Sequence, residues 1–155
     1  MKKHNMLIVD DMEINRVLLA EAFSANYHIL EATNGEEALE IINSGTPLAA
    51  ILLDLIMPKV SGLDVLREMN QSGKVQQIPV FLITASESQK LLMDGYQLGA
   101  VDVITKPFMI QFLKCRVNNI VELYMRRNDL EEVVKEQVER LSSLNKSMVE
   151  TLAAV

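Results

Sequence analysis

The chain has 155 residues, 49% hydrophobic and 23% charged, which allows one well-buried core and an appendage. Its 15 basic and 21 acidic residues give a formal charge of -6, which opposes broad association with nucleic acid or an anionic membrane surface. Cys115 alone excludes an internal disulfide, no apolar stretch approaches the ~20 residues that span a bilayer, and Met1-Lys2-Lys3-His4-Asn5 leads into a strand rather than a signal-peptide core, so a reducing cytoplasm is expected.

In chain order, Met6 to Val9 is a short, continuously apolar run that reads as a strand covered on both faces, and Asp10 and Asp11 end it. Ile14, Val17, Leu18 and Phe23 follow at helical spacing. Tyr27 to Leu30 is a weaker, edge-like strand. Ala38, Leu39 and Ile42 form the next helix, introduced by Asn34 and closed by Gly45. Ala50 to Leu53 is a buried strand ended by Asp54. Met57-Pro58 and Gly62 read as a turn without a chemical role, before a helix carrying Leu63, Leu66 and Met69. Val80 to Ile83 is a further buried strand, closed by Thr84. A less regular helix, Glu87 to Leu98, stops at Gly99, and Val101 to Ile104 is the second edge strand, with Lys106 just beyond it. A fifth helix begins after Pro107 with Phe108, Phe112 and Leu113, and Cys115 falls on its apolar side as a packed thiol. Strand and helix alternate five times. Short right-handed connections make this an α/β, flavodoxin-like, doubly wound parallel sheet of order 2-1-3-4-5, with its switch point beside the first strand.

From about Asn118 no strand pattern returns, and a long C-terminal α-helix is expected to run to the end without Gly or Pro. Its heptad core positions are Ile120, Leu123, Leu130, Val134, Leu141, Leu144, Met148 and Val155, interrupted by Arg127, Gln137 and Thr151. Glu131 with Lys135 and Glu136 with Arg140 are spaced to pair outside the seam. The expected division is a domain over residues 1–125 and a helical, coiled-coil linker over 126–155 that dimerises the protein, since Leu141, Leu144 and Met148 otherwise lack partners. The uncapped ending at Thr151-Leu152-Ala153-Ala154-Val155 implies a further output domain beyond this segment.

Carboxyl ends of parallel strands share one edge, so Asp10, Asp11, Asp54, Thr84 and Lys106 converge there into three carboxylates, a hydroxyl and an ammonium. A hard divalent cation such as Mg²⁺ takes carboxylate and phosphate oxygens, and crowded carboxylates need such a counterion, or Lys106, to remain ionised. With a metal neutralising phosphate charge, Asp54 could attack phosphorus in line and form an acyl phosphate, while Lys106 and Thr84 hold the phosphoryl oxygens.

Leu7-Ile8-Val9-Asp10-Asp11, Leu53-Asp54-Leu55-Ile56-Met57-Pro58, Thr84-Ala85, Gly99-Ala100-Val101-Asp102 and Lys106-Pro107-Phe108 together resemble the response regulator receiver family over residues 5–125. That resemblance implies Asp54 as phosphoacceptor. It implies Asp11 as a direct ligand of Mg²⁺ or Mn²⁺, Asp10 acting mainly through water, and the Ile56 backbone carbonyl completing the protein ligands. Thr84 and Lys106 match the positions that contact the phosphoryl group, and the donor would be a phosphohistidine on a sensor histidine kinase or phosphotransfer protein. The family's Lys-Pro bond is usually cis, which is carried over to Lys106-Pro107. Thr84 and position 103 would form the switch, but Val103 stands where many receivers carry a swinging aromatic ring. Ile56 and Ser86 match positions that tune dephosphorylation, and an apolar Ile56 is expected to slow an attacking water.

Leu144 to Val155 resembles the connecting helix that enters the HD-GYP type of cyclic-di-GMP phosphodiesterase, without any of that enzyme's metal-binding residues. A diguanylate cyclase or kinase module is the alternative output. A phosphohydrolase of the haloacid-dehalogenase type would want its aspartate on the first strand with a second acid two residues later, but Leu55 and Ile56 follow Asp54. A nucleotide- or flavin-binding module would need a glycine- or hydroxyl-rich loop after the first strand, where Asp11-Met12-Glu13 stands. His4 and His28 lack cluster partners and read as surface or edge residues.

Overall fold

The computed structural model describes residues 3–153. Five strands, β1 (His4–Val9), β2 (Tyr27–Ala32), β3 (Ala50–Asp54), β4 (Val80–Thr84) and β5 (Asp102–Thr105), alternate with five helices, α1 (Glu13–Phe23), α2 (Gly35–Asn43), α3 (Gly62–Gln71), α4 (Gln89–Gln97) and α5 (Ile110–Ala153). All four strand pairs are parallel and the order is β2-β1-β3-β4-β5, the expected doubly wound arrangement. Helices on both faces bury the three central strands, which is why Leu7, Ile51, Leu53, Val80 and Leu82 need no polar alternation. The edge strands β2 and β5 carry partly exposed residues.

Local chemistry sets the helix starts. Asn34 Oδ1 accepts the Glu37 N–H at 2.9 Å, Ser61 and Asp64 form a reciprocal capping box, and the Ser88 hydroxyl accepts the Leu91 N–H. Leu66, Met69, Ala38 and Ile42 bring α3 and α2 onto the core beneath β1 and β3.

Three expectations need correction. In α1 Phe23 is buried as expected and Leu19 joins it, while Ile14, Val17 and Leu18 are exposed, because the helix turns only part of the expected stripe toward β1 and β2. The fifth helix begins at Ile110 rather than directly after Pro107, and buries Leu113, Val117 and Val121, one turn apart, leaving Phe112 exposed. Cys115 lies off that stripe and is an exposed thiol rather than a packed one. His4 and His28 are exposed, as expected.

The described residues up to Val121 form one compact unit, and those from Glu122 onward a second. Within the second, Leu123, Leu130, Val134, Leu141, Leu144 and Met148 all stand exposed along a helix. Glu131 meets Arg127 at 3.8 Å rather than Lys135, one turn in the other direction. The last heptad position, Val155, and the end of the tail at Ala154 lie outside the described residues, as do Met1 and Lys2. Among the described residues no helix is long and apolar enough to cross a membrane.

Candidate functional site

Asp10 follows β1, Asp54 closes β3, Thr84 closes β4 and Lys106 follows β5, so four carboxyl ends of one parallel sheet supply the polar groups. The register aligns them: Val9 lies opposite Leu53, Asp54 opposite Ile83, and Thr84 opposite Thr105. One carboxylate oxygen each from Asp10, Asp11 and Asp54 lies within 4.8 Å of the other two. The five predicted positions therefore meet at one edge, through the chain topology rather than sequence proximity.

Asp10 is the most enclosed acid of the group, at 2% exposure. Its Oδ1 accepts the Met12 N–H at 2.9 Å and its Oδ2 lies 3.4 Å from Lys106 Nζ. Asp11 is exposed, and Asp54 is 9% exposed, with Oδ1 accepting the Ile56 N–H at 3.4 Å. Burial, foremost, and then the neighbouring charge of Asp10 push the Asp54 carboxyl up to about 6, against the opposing pull of Lys106 and the Ile56 N–H. An Asp54 carboxylate is thus costly to hold ionised without additional positive charge.

Thr84 is fully buried, and its Oγ1 accepts the Ser86 N–H at 3.0 Å, which leaves the hydroxyl proton free to be donated. The Thr84 carbonyl accepts the Lys106 N–H at 2.8 Å, coupling the end of β4 to the lysine, and the Lys106-Pro107 bond is cis as expected. Val103 is half-buried in β5, and its N–H donates to Asp102 Oδ1 at 2.9 Å and to the Tyr96 hydroxyl at 3.3 Å. An aromatic side chain from α4 therefore reaches the backbone of the position whose own ring is missing. The Ile56 side chain is 58% exposed, so the shielding expected of it depends on what approaches Asp54 rather than on packing.

Two positioning residues escaped the sequence reading. A Cβ on Gly62 would lie 2.2 Å from the Asp54 carbonyl oxygen and 2.8 Å from Leu55 Cα, and the Gly62 N–H donates to the Leu55 carbonyl at 2.9 Å. Only glycine lets α3 press against the backbone that carries Asp54. The Ser61-x-x-Asp64 capping box, which makes Gly62 the first helical residue rather than part of the preceding turn, was the available signal. Arg16 Nη1 donates to the Asp10 carbonyl at 2.8 Å while its Nε holds Glu31 at 3.3 Å, tying the end of β1 to β2. A single arginine within an amphipathic helix carries no such signal.

Three carboxylates within reach of one point, with hard oxygen donors and an unfavourable surplus of negative charge, fit a small divalent cation. The haloacid-dehalogenase arrangement is not found, since Asp54 closes the third strand in the chain rather than the first.

Residues 6–118 match the response regulator receiver domain family. The chain is 31% identical, over 97% of its length, to a probable cyclic di-GMP phosphodiesterase of Vibrio cholerae, spanning 35% of that protein. It is 34% identical, over 81% of its length, to histidine kinase P4 of Formosa agariphila, spanning 9% of it. The chain thus covers about a third or less of these two relatives. Among solved structures it resembles a chain of the CheX-CheY-BeF3-Mg+2 complex of Borrelia burgdorferi, with a TM-score of 0.68 and 29% identity, over 76% of this chain and 88% of that one. Receiver domains accept phosphoryl groups from histidine kinases and bind Mg²⁺ through acidic residues, the chemistry for which this strand-end cluster is suited. With that match over most of its length and the five-stranded fold that carries the acids, the chain belongs to the response regulator receiver domain family, the phosphoryl-accepting modules of two-component systems.

Proposed function

We propose that this chain accepts a phosphoryl group on Asp54, in a reaction dependent on Mg²⁺ or Mn²⁺, from a phosphohistidine on a sensor histidine kinase or phosphotransfer protein. The observation that carries the reading is the meeting of carboxylate oxygens of Asp10, Asp11 and Asp54 within 4.8 Å, with Lys106 held on Asp10. Asp11, Asp54 and the Ile56 carbonyl would hold the cation directly, and Asp10 mainly through water. A bound cation there supplies charge neutralisation for Asp54 and for the incoming phosphoryl oxygens.

The remaining work falls to the chain. An Asp54 oxygen forms the new P–O bond as the P–N bond to the donor imidazole breaks, and the electron pair of that bond leaves with the imidazole. Thr84 donates its free hydroxyl proton to one phosphoryl oxygen. Lys106 Nζ, 3.4 Å from Asp10 Oδ2, exchanges that partner for another phosphoryl oxygen. Because the Thr84 carbonyl binds the Lys106 N–H, movement at the end of β4 is felt at the end of β5. Thr84 and Val103 form the switch, moving the surface of β4, α4 and β5. Without a ring at Val103, the hydroxyl of Tyr96 is the aromatic element that reports the change. Ile56 and Ser86 tune loss of the phosphoryl group, with Ile56 slowing it.

Residues 1–125 act as the receiver and residues 126–155 as a helical linker that pairs two copies and leads to an output domain in the same chain, working in the cytoplasm. Chemistry within this segment is limited to gain and loss of its own phosphoryl group. Alignment with the Vibrio cholerae protein over 97% of this chain, linker included, supports a cyclic di-GMP phosphodiesterase as output, and the resemblance of Leu144 to Val155 to a connecting helix is what assigns it to the HD-GYP type. A kinase or diguanylate cyclase module is the second reading, and the match to a histidine kinase favours the kinase.

Beryllofluoride with Mg²⁺ tests the site. The chain should respond in its amide NMR spectrum around Thr84 and Lys106, and Asp54→Asn should not; an equal response in the variant would remove Asp54 from the reaction.

A further inference from the structure

Resting on the reading that residues 126–155 pair two copies, we infer that the pairing seam shifts by one stutter at Val138 and that Asn145 sets a parallel, in-register alignment. Continuing the regular heptad through Leu130 and Val134 brings Gln137 and Thr151 into the seam and leaves Val138 and Leu152 outside it. Those two apolar residues are 58% and 73% exposed on the single helix.

Two successive steps of four, Leu130 to Val134 to Val138, resolve this. The seam then runs through Val138, Leu141, Asn145, Met148 and Leu152, and Asn145 is the only polar residue among them. Leu130 to Leu141 becomes an eleven-residue repeat, whose period of about 3.67 residues per turn locally unwinds the left-handed supercoil.

A second copy of this helix is the occupant that satisfies the seam. An amide placed among apolar layers loses its hydrogen bonds to water unless it meets another amide, and a parallel in-register pair sets Asn145 against Asn145. An antiparallel pair or an unrelated apolar helix leaves it against a hydrocarbon layer. Positions flanking the seam agree. In such a pair a residue just before one core layer faces the residue five further along on the other helix. Leu144 thereby faces Val149 on both sides of the amides, covering residues that are 56% and 65% exposed on one helix. Ahead of the shift, Arg126 of one copy faces Glu131 of the other, opposite charges at the same kind of position.

The experiment uses the full chain with Cys115→Ser, since the native thiol is exposed. Single cysteines replace Gln137, Val138, Leu144 or Asn145, and disulfide dimers are timed under mild oxidation. Val138→Cys and Asn145→Cys should cross-link about tenfold faster than Gln137→Cys and Leu144→Cys, because a disulfide needs Cβ atoms about 4 Å apart. Faster cross-linking at 137 and 144 overturns the shift. A chain that sediments as a dimer but cross-links at none of the four overturns the parallel alignment. A strict monomer that cross-links nowhere removes the pairing on which the inference rests. Asn145→Leu should strengthen association and admit more than one oligomeric state; unchanged association overturns the role of the amide.

Discussion

Replacing Asp54 with asparagine should stabilise the metal-free protein, even though it removes the phosphoacceptor. The folded state raises this carboxyl from its ordinary 3.8 to about 6, chiefly through burial and then the charge of Asp10. At 1.36 kcal/mol per unit, that displacement corresponds to about 3 kcal/mol of strain in the ionised form. Asparagine keeps the size and can still accept the Ile56 N–H while carrying no charge, so Asp54→Asn should gain about 1–3 kcal/mol at pH 7.5. The sign with pH follows from the direction of the shift. A carboxyl that holds its proton more tightly when folded weakens the fold as pH rises from about 4 to about 6, and its full effect persists above that. The advantage of the variant should therefore be largest above pH 6 and shrink toward zero near pH 4. Urea unfolding of both proteins in a chelator at pH 7.5 and pH 4.5 measures it. Millimolar Mg²⁺ at pH 7.5 should narrow the gap by stabilising the parent more than the variant, which lacks one carboxylate ligand, since a ligand of the native state adds stability by mass action. Equal midpoints at both pH values, or a gap that widens on acidification, would refute the reasoning.

Gly62→Ala should lower stability by about 2 kcal/mol or more through overpacking, because the new methyl would stand 2.2 Å from the Asp54 carbonyl oxygen. A weakened beryllofluoride response is expected with it, and a fully native urea midpoint would count against the contact. Arg16→Ala removes the hydrogen bond to the Asp10 carbonyl, so Mg²⁺ affinity measured by fluorescence or calorimetry should fall about tenfold, within the usual range for residues that position metal ligands. The same Mg²⁺ affinity in variant and parent would show that β1 holds Asp10 unaided. Ile56→Asn should shorten the acyl-phosphate lifetime followed with ³²P, while decay within seconds in the parent itself would count against shielding by Ile56.

The strand ends were legible because fully buried parallel strands require unbroken apolar runs, so the first polar residue after each run marks the sheet edge. Asp10, Asp54 and Thr84 all follow from that rule. Helix faces were less legible. Ile14, Val17 and Leu18 satisfy helical spacing as well as Phe23 does, and only the placement of α1 against β1 and β2 keeps Phe23, adds Leu19 and leaves the other three exposed. Cys115 was misjudged for the same reason, since the buried stripe of α5 is the one through Leu113, Val117 and Val121.

By itself, the amino-acid order determined the alternation of strands and helices, the fold class and the identity of the five polar groups, because each depends on local periodicity and on motif spacing. Tertiary structure alone decided that Lys106 rests on Asp10, that Arg16 grips the end of β1 and that Gly62 presses on the Asp54 backbone. Those facts are distances between residues far apart in the chain or between packed backbones, and close packing of helices onto the sheet sets them, whereas the periodicity of any one segment carries no information about its neighbour.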